Sequence, residues 1–266
     1  MACDALVLVT WPLPGCAQLT LNRPAAKNAL SQALRRALVQ AIETLGTEGR
    51  ARVLILTGAG DAFCAGLDLK ELGAATNAAH GLALDDPALN PVAALARFPG
   101  AVIAAINGVA ITGGFELALA CDVLLASEQA RFADTHARVG VMPAWGLSQK
   151  LSRAIGVYRA KELALTGNFL SAARADAWGL VNRVLPPDRL LPEACQLAAE
   201  MLSVVPEMLL PYKRLIDEGH ALTLQDGLAQ EALRAEAALQ GWDAAELERR
   251  RHGVRSRGQQ QIDQVR

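Results

Sequence analysis

The chain has 266 residues, 52% of them hydrophobic, and a formal net charge of −1 at pH 7. That suits one sizeable domain with a helical appendage, and it excludes a global field for nucleic acid or a membrane surface. The five cysteines (Cys3, Cys16, Cys64, Cys121, Cys195) are scattered without a CxxC pair, which argues against a disulfide framework or a zinc site.

In chain order, residues 5–10 and 17–21 read as an antiparallel strand pair parted by Pro12, Pro14 and Gly15. Ser31 can cap a helix running to about residue 45, with Leu34, Leu38 and Leu45 along one face. Residues 53–56 are a short apolar run suited to a buried strand, broken by Gly58, Gly60 and Asp61. Ala65-Gly66 makes a second tight turn, and residues 67–72 look helical. Residues 73–90, rich in Ala, Asn, Asp and Gly, read as a mobile loop.

The next stretch, INGVAITGGFELALACD (residues 106–122), is the most informative. An apolar run at 101–106 predicts a strand, Asn107-Gly108 a turn, and Gly113-Gly114 opens a helical run over 115–120. A further strand follows at 123–126. Residues 160–165, 172–178, 192–202, 206–219 and 224–239 predict successive helices, interrupted by one apolar run at 180–185. The Arg-rich stretch 248–257 reads as a solvated helix end or as a contact to cofactor phosphates. No N-terminal run has a basic start ahead of a long apolar stretch, and no apolar segment reaches about 18 residues, so the expectation is a soluble, cytoplasmic protein.

Free N–H groups at a helix N-terminus form an anion site. Glu116 falls beside those donors at one turn; Asp68 and Lys70 fall beside those at the other. Gly-Gly before a helix also serves simple packing, and a first-turn Glu also complements the helix dipole. Two donors from two strand ends would suit an oxygen that gains negative charge during reaction, as a thioester enolate does.

Four segments occur in the order found in the crotonase superfamily: LNRPAAKNALS (21–31), FCAGLDLKEL (63–72), INGVAITGGFELALACD and FADTHARVGVMPAWGLSQKLSRAIG (132–156). Over roughly residues 5–240 the chain resembles an enoyl-CoA hydratase/isomerase. The resemblance implies an α/β fold, a spiral of stacked strand–strand–helix units, followed by a helical region that mediates trimerisation. Residues 1–200 would then be the spiral core with the acyl-CoA site, and 201–266 the helical region.

The resemblance also implies roles. The two oxyanion-hole amides fall on Leu67 and Gly113, and the turn Leu67, Asp68, Leu69, Lys70 matches the segment that binds the adenine end of CoA. Hydratases of this kind use two glutamates around one water. The first falls on Glu116; the second position holds His136, a departure. His136 could be a proton shuttle, an orienting hydrogen bond, or a packed wall residue, and Asp134 and Arg138 stand two residues to either side. Trp145, where relatives often carry a small residue, either fills part of the acyl pocket or packs in the core.

Three functions follow as expectations. The leading one is a hydro-lyase of acyl-CoA metabolism that adds water to a 2-enoyl-CoA to give a 3-hydroxyacyl-CoA. The others are a different crotonase reaction (isomerisation or decarboxylation) and a non-catalytic acyl-CoA binding protein. No metal or separate cofactor is expected, since coenzyme A is part of the substrate. The expected assembly is a homotrimer or a dimer of trimers.

Overall fold

The structure is a computed structural model that describes residues 5–74, 83, 85–239 and 243–265. The antiparallel pair forms as β1 (Val7–Leu13) and β2 (Cys16–Leu21), with β1 running through Pro12. A proline cannot donate to a ladder, and it is tolerated here because β1 is an edge strand whose register shifts between Thr10 and Leu13. α1 (Gln32–Glu48) starts at the expected cap, where the Ser31 side chain accepts from the Leu34 N–H, and it ends at Gly49 with φ +68°. It buries Leu34, Leu38, Val39, Ile42 and Leu45.

From there the chain repeats one unit: a long strand, a three-residue strand, a helix. The first turn is β3 (Val53–Gly58), β4 (Ala62–Cys64) and α2 (Leu69–Ala74). After α3 (Pro91–Arg97) comes the second: β5 (Ala101–Ile106), β6 (Val109–Ile111) and α4 (Gly113–Leu119). The third is β7 (Val123–Ser127), β8 (Arg131–Ala133) and α5 (His136–Val139). Then come α6 (Leu147–Ile155), α7 (Val157–Thr166), β9 (Leu170–Ser171), α8 (Ala172–Ala177), β10 (Arg183–Leu185) and α9 (Leu190–Leu202).

The long strands, joined at one edge by the three-residue β10, make one sheet in the order β1-β2-β3-β5-β7-β10, parallel from β2 onward. The short strands make a second, β4-β6-β8-β9, which the sequence does not announce because three residues are too few for a readable alternation. The central strands β3 and β5 are almost wholly apolar because both faces are covered. Leu54, Leu56, Val102, Ala104 and Ile106 join the cluster that holds the α1 leucines. Val53, Ile55, Ala101, Ile103 and Ala105 face the other way, against Leu190, Ala194 and Ala198 of α9.

Some expectations are corrected. The helix expected over 67–72 begins at Leu69 instead, because Leu67 forms a parallel bridge with Leu30. Of the apolar run 180–185 only β10 is strand; Leu180 and Val181 are buried ahead of it. The loop expected over 73–90 contains the end of α2 and a 3-10 turn at Pro87–Leu89, while 75–82 and 84 lie outside the described residues.

By its contacts the chain divides into Met1–Leu210 and Pro211–Arg266. α10 (Pro206–His220) carries the chain across this division. The second unit continues with α11 (Leu224–Leu239) and α12 (Ala244–Val265). Neither α10 nor α11 buries a residue. The Arg-rich stretch lies on α12, where Arg250 Nε donates to Glu246 Oε1 at 2.7 Å, Arg249 pairs with Glu246 and Arg251 with Glu248. Among the described residues no helix is long and apolar enough to cross a membrane.

Candidate active site

The site begins where two strand-end turns press together, backbone on backbone. Gly66 has φ +91°, and a Cβ there would lie 2.7 Å from the Ile111 carbonyl oxygen and 3.3 Å from the Gly113 nitrogen. A Cβ on Gly114 would lie 2.1 Å from the Cys64 carbonyl oxygen. Only glycine permits this approach. It brings the Leu67 nitrogen to 3.5 Å from the point where a Gly113 Cβ would stand. Gly113 opens α4, so no intrahelical carbonyl lies behind its N–H. The Leu30–Leu67 bridge uses the Gly66 carbonyl and the Asp68 N–H, which leaves the Leu67 N–H outside the pairing.

Thr112, between β6 and α4, has φ 53° and ψ −110°, a strained conformation for a β-branched residue. The β8–α5 connection holds it there. Its N–H donates to the Ala133 oxygen at 2.8 Å, and its Oγ1 accepts from the Thr135 N–H at 3.2 Å and lies 2.5 Å from Thr135 Oγ1. The same connection positions His136.

Glu116 stands in the first turn of α4 and is 3% exposed. Its Oε1 accepts from the N–H groups of Trp145 at 2.8 Å and Leu147 at 3.3 Å. Burial pushes its carboxyl above the usual carboxylate range; those two hydrogen bonds and the His136 ring oppose the shift without cancelling it. Glu116 Oε2 faces His136 Nε2 at 3.7 Å. On the far side of the ring, His136 Nδ1 lies 2.7 Å from Asp134 Oδ1, which also accepts from the His136 backbone N–H at 3.1 Å. A buried line Asp134–His136–Glu116 results.

Leu67, Thr112, Glu116, Thr135, His136 and Trp145 are among the residues around a cavity of ≈ 50 Å³, room for a few waters or a short chain. Leu69 is also on its wall. Trp145 is both buried and on the cavity wall: it is 6% exposed, its Cζ3 lies 3.5 Å from the Gly113 Cβ position, and the Arg35 guanidinium carbon sits 5.1 Å from its ring centroid. Asp68 and Lys70 are not on that wall. Asp68 Oδ2 pairs with Arg23 at 3.1 Å, and Oδ1 accepts from the N–H groups of Lys70 and Glu71 at the start of α2. Desolvation alone would raise the Asp68 carboxyl, but the hydrogen bonds from Arg23 and Glu71 outweigh it and hold it below the usual range. Lys70 is exposed. Arg138 turns away, its Nε donating to the Thr166 oxygen at 2.6 Å.

Thr112 and Thr135 belong to the site without any mark in the sequence, since nothing in their residue types sets them apart. For Asp134 the spacing of two from His136 is the available signal, and it does not say where the side chain lies. Among the described residues no group of three His, Cys, Asp or Glu side chains is placed to hold a metal.

Comparison with known proteins gives the family. Residues 14–247 match the model of the Enoyl-CoA hydratase/isomerase family. The chain is 40% identical to a probable peroxisomal enoyl-CoA hydratase 1 of Arabidopsis thaliana, over 96% of this chain and 95% of that one. It is 41% identical to the 2,3-dehydroadipyl-CoA hydratase of Escherichia coli, over 80% and 82%. Among solved structures, the enoyl-CoA hydratase of Bacillus anthracis superposes with a TM-score of 0.84 at 35% identity, covering 96% of each chain. A monofunctional enoyl-CoA isomerase from M. smegmatis superposes at 0.73 with 36% identity, over 85% of this chain and 99% of that one. With the ββα spiral, the paired strand-end turns and the buried glutamate in place, the chain belongs to the enoyl-CoA hydratase/isomerase family.

Proposed function

We propose that the protein is an enoyl-CoA hydratase, a hydro-lyase that adds water across the double bond of a 2-enoyl-CoA. The observation that carries this reading is the Glu116–His136 pair on the wall of the cavity beside the converging Leu67 and Gly113 amides. Those two N–H groups would hold the thioester oxygen as it gains charge. Glu116, as carboxylate, takes a proton from water while the water oxygen bonds the β-carbon, and the π electrons move through the α-carbon onto the thioester oxygen. The enolate collapses as His136 Nε2–H delivers a proton to the α-carbon. Transfer of the proton from Glu116 to His136 Nε2 then resets the pair. Water is consumed and no other group changes. The chemistry asks for no cofactor beyond the CoA that the substrate carries.

The Trp145 ring narrows the cavity, which favours short acyl chains. Crotonyl-CoA is therefore the first substrate to try, following loss of the conjugated-thioester absorbance, with butyryl-CoA as a binding control. Hydration supports the reading; butyryl-CoA binding without turnover of crotonyl-CoA overturns it. The likeness to an isomerase, together with a single glutamate among the described residues of the cavity wall, gives a second reading, tested with a 3-enoyl-CoA in the same cuvette.

The same proposal keeps the enzyme in the cytoplasm and assembles it as a homotrimer or a dimer of trimers. Support for assembly comes from the second unit, where Ile216, Leu224, Leu228, Leu233 and Leu239 are all exposed. Apolar surface of that kind is usually covered by another subunit. Light scattering at micromolar concentration tests it, and a monomer would refute it.

A further inference from the structure

We infer that Asp134 is a positioning residue that fixes the proton of His136 on Nδ1 and thereby keeps a single exchangeable proton on the opposite face, between His136 Nε2 and Glu116 Oε2. The inference deepens the hydratase reading and rests on it for its catalytic consequence, but not for its structural content.

One carboxylate oxygen decides the tautomer. Asp134 Oδ1 accepts from the backbone N–H of His136 at 3.1 Å, and a backbone N–H can only donate. The same Oδ1 lies 2.7 Å from His136 Nδ1, so Oδ1 is again the acceptor and Nδ1 carries the hydrogen. In the neutral ring Nε2 is then a bare lone pair. It faces Glu116 Oε2 at 3.7 Å, with both side chains buried. A lone pair facing a carboxylate is repulsive when both side chains are buried, so a proton belongs to that pair, on Nε2 or on the carboxyl. Glu116 Oε1 is already committed to the Trp145 and Leu147 N–H groups, which leaves Oε2 as the oxygen turned toward Nε2. Among the described residues, the titratable groups facing the ring are Asp134 from the β8–α5 connection and Glu116 from α4; Arg138 is bonded away to Thr166.

The consequence is specific to a histidine at this position. A second glutamate could rotate and present either oxygen, whereas a ring pinned at Nδ1 offers one nitrogen in one place. Asp134 is not among the residues around the cavity where water and thioester would meet; it acts through the ring.

The test compares wild type with Asp134→Asn and Asp134→Glu. ¹⁵N NMR of ring-labelled protein reads the tautomer directly, with His136 assigned among the four histidines by the difference spectrum of His136→Gln. In wild type Nδ1 should stay protonated throughout, with the exchange confined to Nε2. In Asp134→Asn the amide can donate to Nδ1, so the other tautomer should appear. Crotonyl-CoA kinetics should show kcat falling roughly ten- to hundredfold with KM within about threefold, the alkaline limb of kcat moving to lower pH, and partial rescue by Asp134→Glu. An unchanged ring spectrum and unchanged profile in Asp134→Asn would overturn the inference. A wild type with the pinned tautomer but no hydration would instead count against the hydratase reading alone, so the two failures are separable.

Discussion

Residues 62–74 and 109–119 are built alike: a three-residue strand, a glycine turn, a short helix and a carboxylate by its start. Their carboxylates have opposite fates. Asp68 keeps 15% of its side chain exposed, pairs with Arg23 and caps α2, and its carboxyl is held low. Glu116 is 3% exposed and meets backbone N–H groups and an imidazole, and its carboxyl is pushed up by burial. Local chain grammar puts a carboxylate beside a helix start at both turns; the surroundings decide which carboxyl is held low and which is pushed up.

Substitutions can break this contrast, beginning with the largest effect. Glu116→Gln keeps the shape and removes the base, so kcat for crotonyl-CoA should fall by on the order of 10²–10⁴ with little change in acyl-CoA affinity, measured by steady-state kinetics and calorimetry. His136→Ala should cost on the order of 10² and abolish the alkaline limb of the pH profile, while His136→Glu should retain hydration. Simple packing predicts instead a stability change with an unchanged profile. Asp68→Asn is the counterpart at the other turn: kcat should stay within about threefold, while urea unfolding reports a loss of up to about 1 kcal/mol from the lost ion pair with Arg23, since Asn still caps α2.

A subtler effect is the pH dependence of stability. The folded Glu116 carboxyl is raised, so between the ordinary carboxylate value and its raised value the folded state holds the extra proton and stability falls as pH rises. Asp68, held low, behaves oppositely: its contribution is present above the ordinary value and is lost as pH falls through the lowered one. Urea midpoints across the acidic-to-neutral range for wild type, Glu116→Gln and Asp68→Asn should therefore diverge in opposite directions.

Much of this site is legible in the residues. Both faces of β3 and β5 are covered, so their apolar runs betray them, and Ser31 marks the start of α1. The glycines of both turns stand out because backbone contact admits no side chain. What cannot be read is convergence: nothing local says that Gly66 meets Ile111 and Gly113, since that contact depends on three-residue strands too short to show a period. Asp134 is equally hidden. Its identity suggests a surface acid; only the buried geometry of the β8–α5 connection makes it the partner of His136.

The contrast between the two carboxylates is tested most directly by ¹³C NMR titration of labelled aspartate and glutamate side chains, with Glu116 and Asp68 assigned from the spectra of Glu116→Gln and Asp68→Asn. Glu116 should titrate above the range of the exposed glutamates, and Asp68 below that of the exposed aspartates. Both groups titrating in the ordinary carboxylate range, or Glu116 titrating below it, would contradict the account.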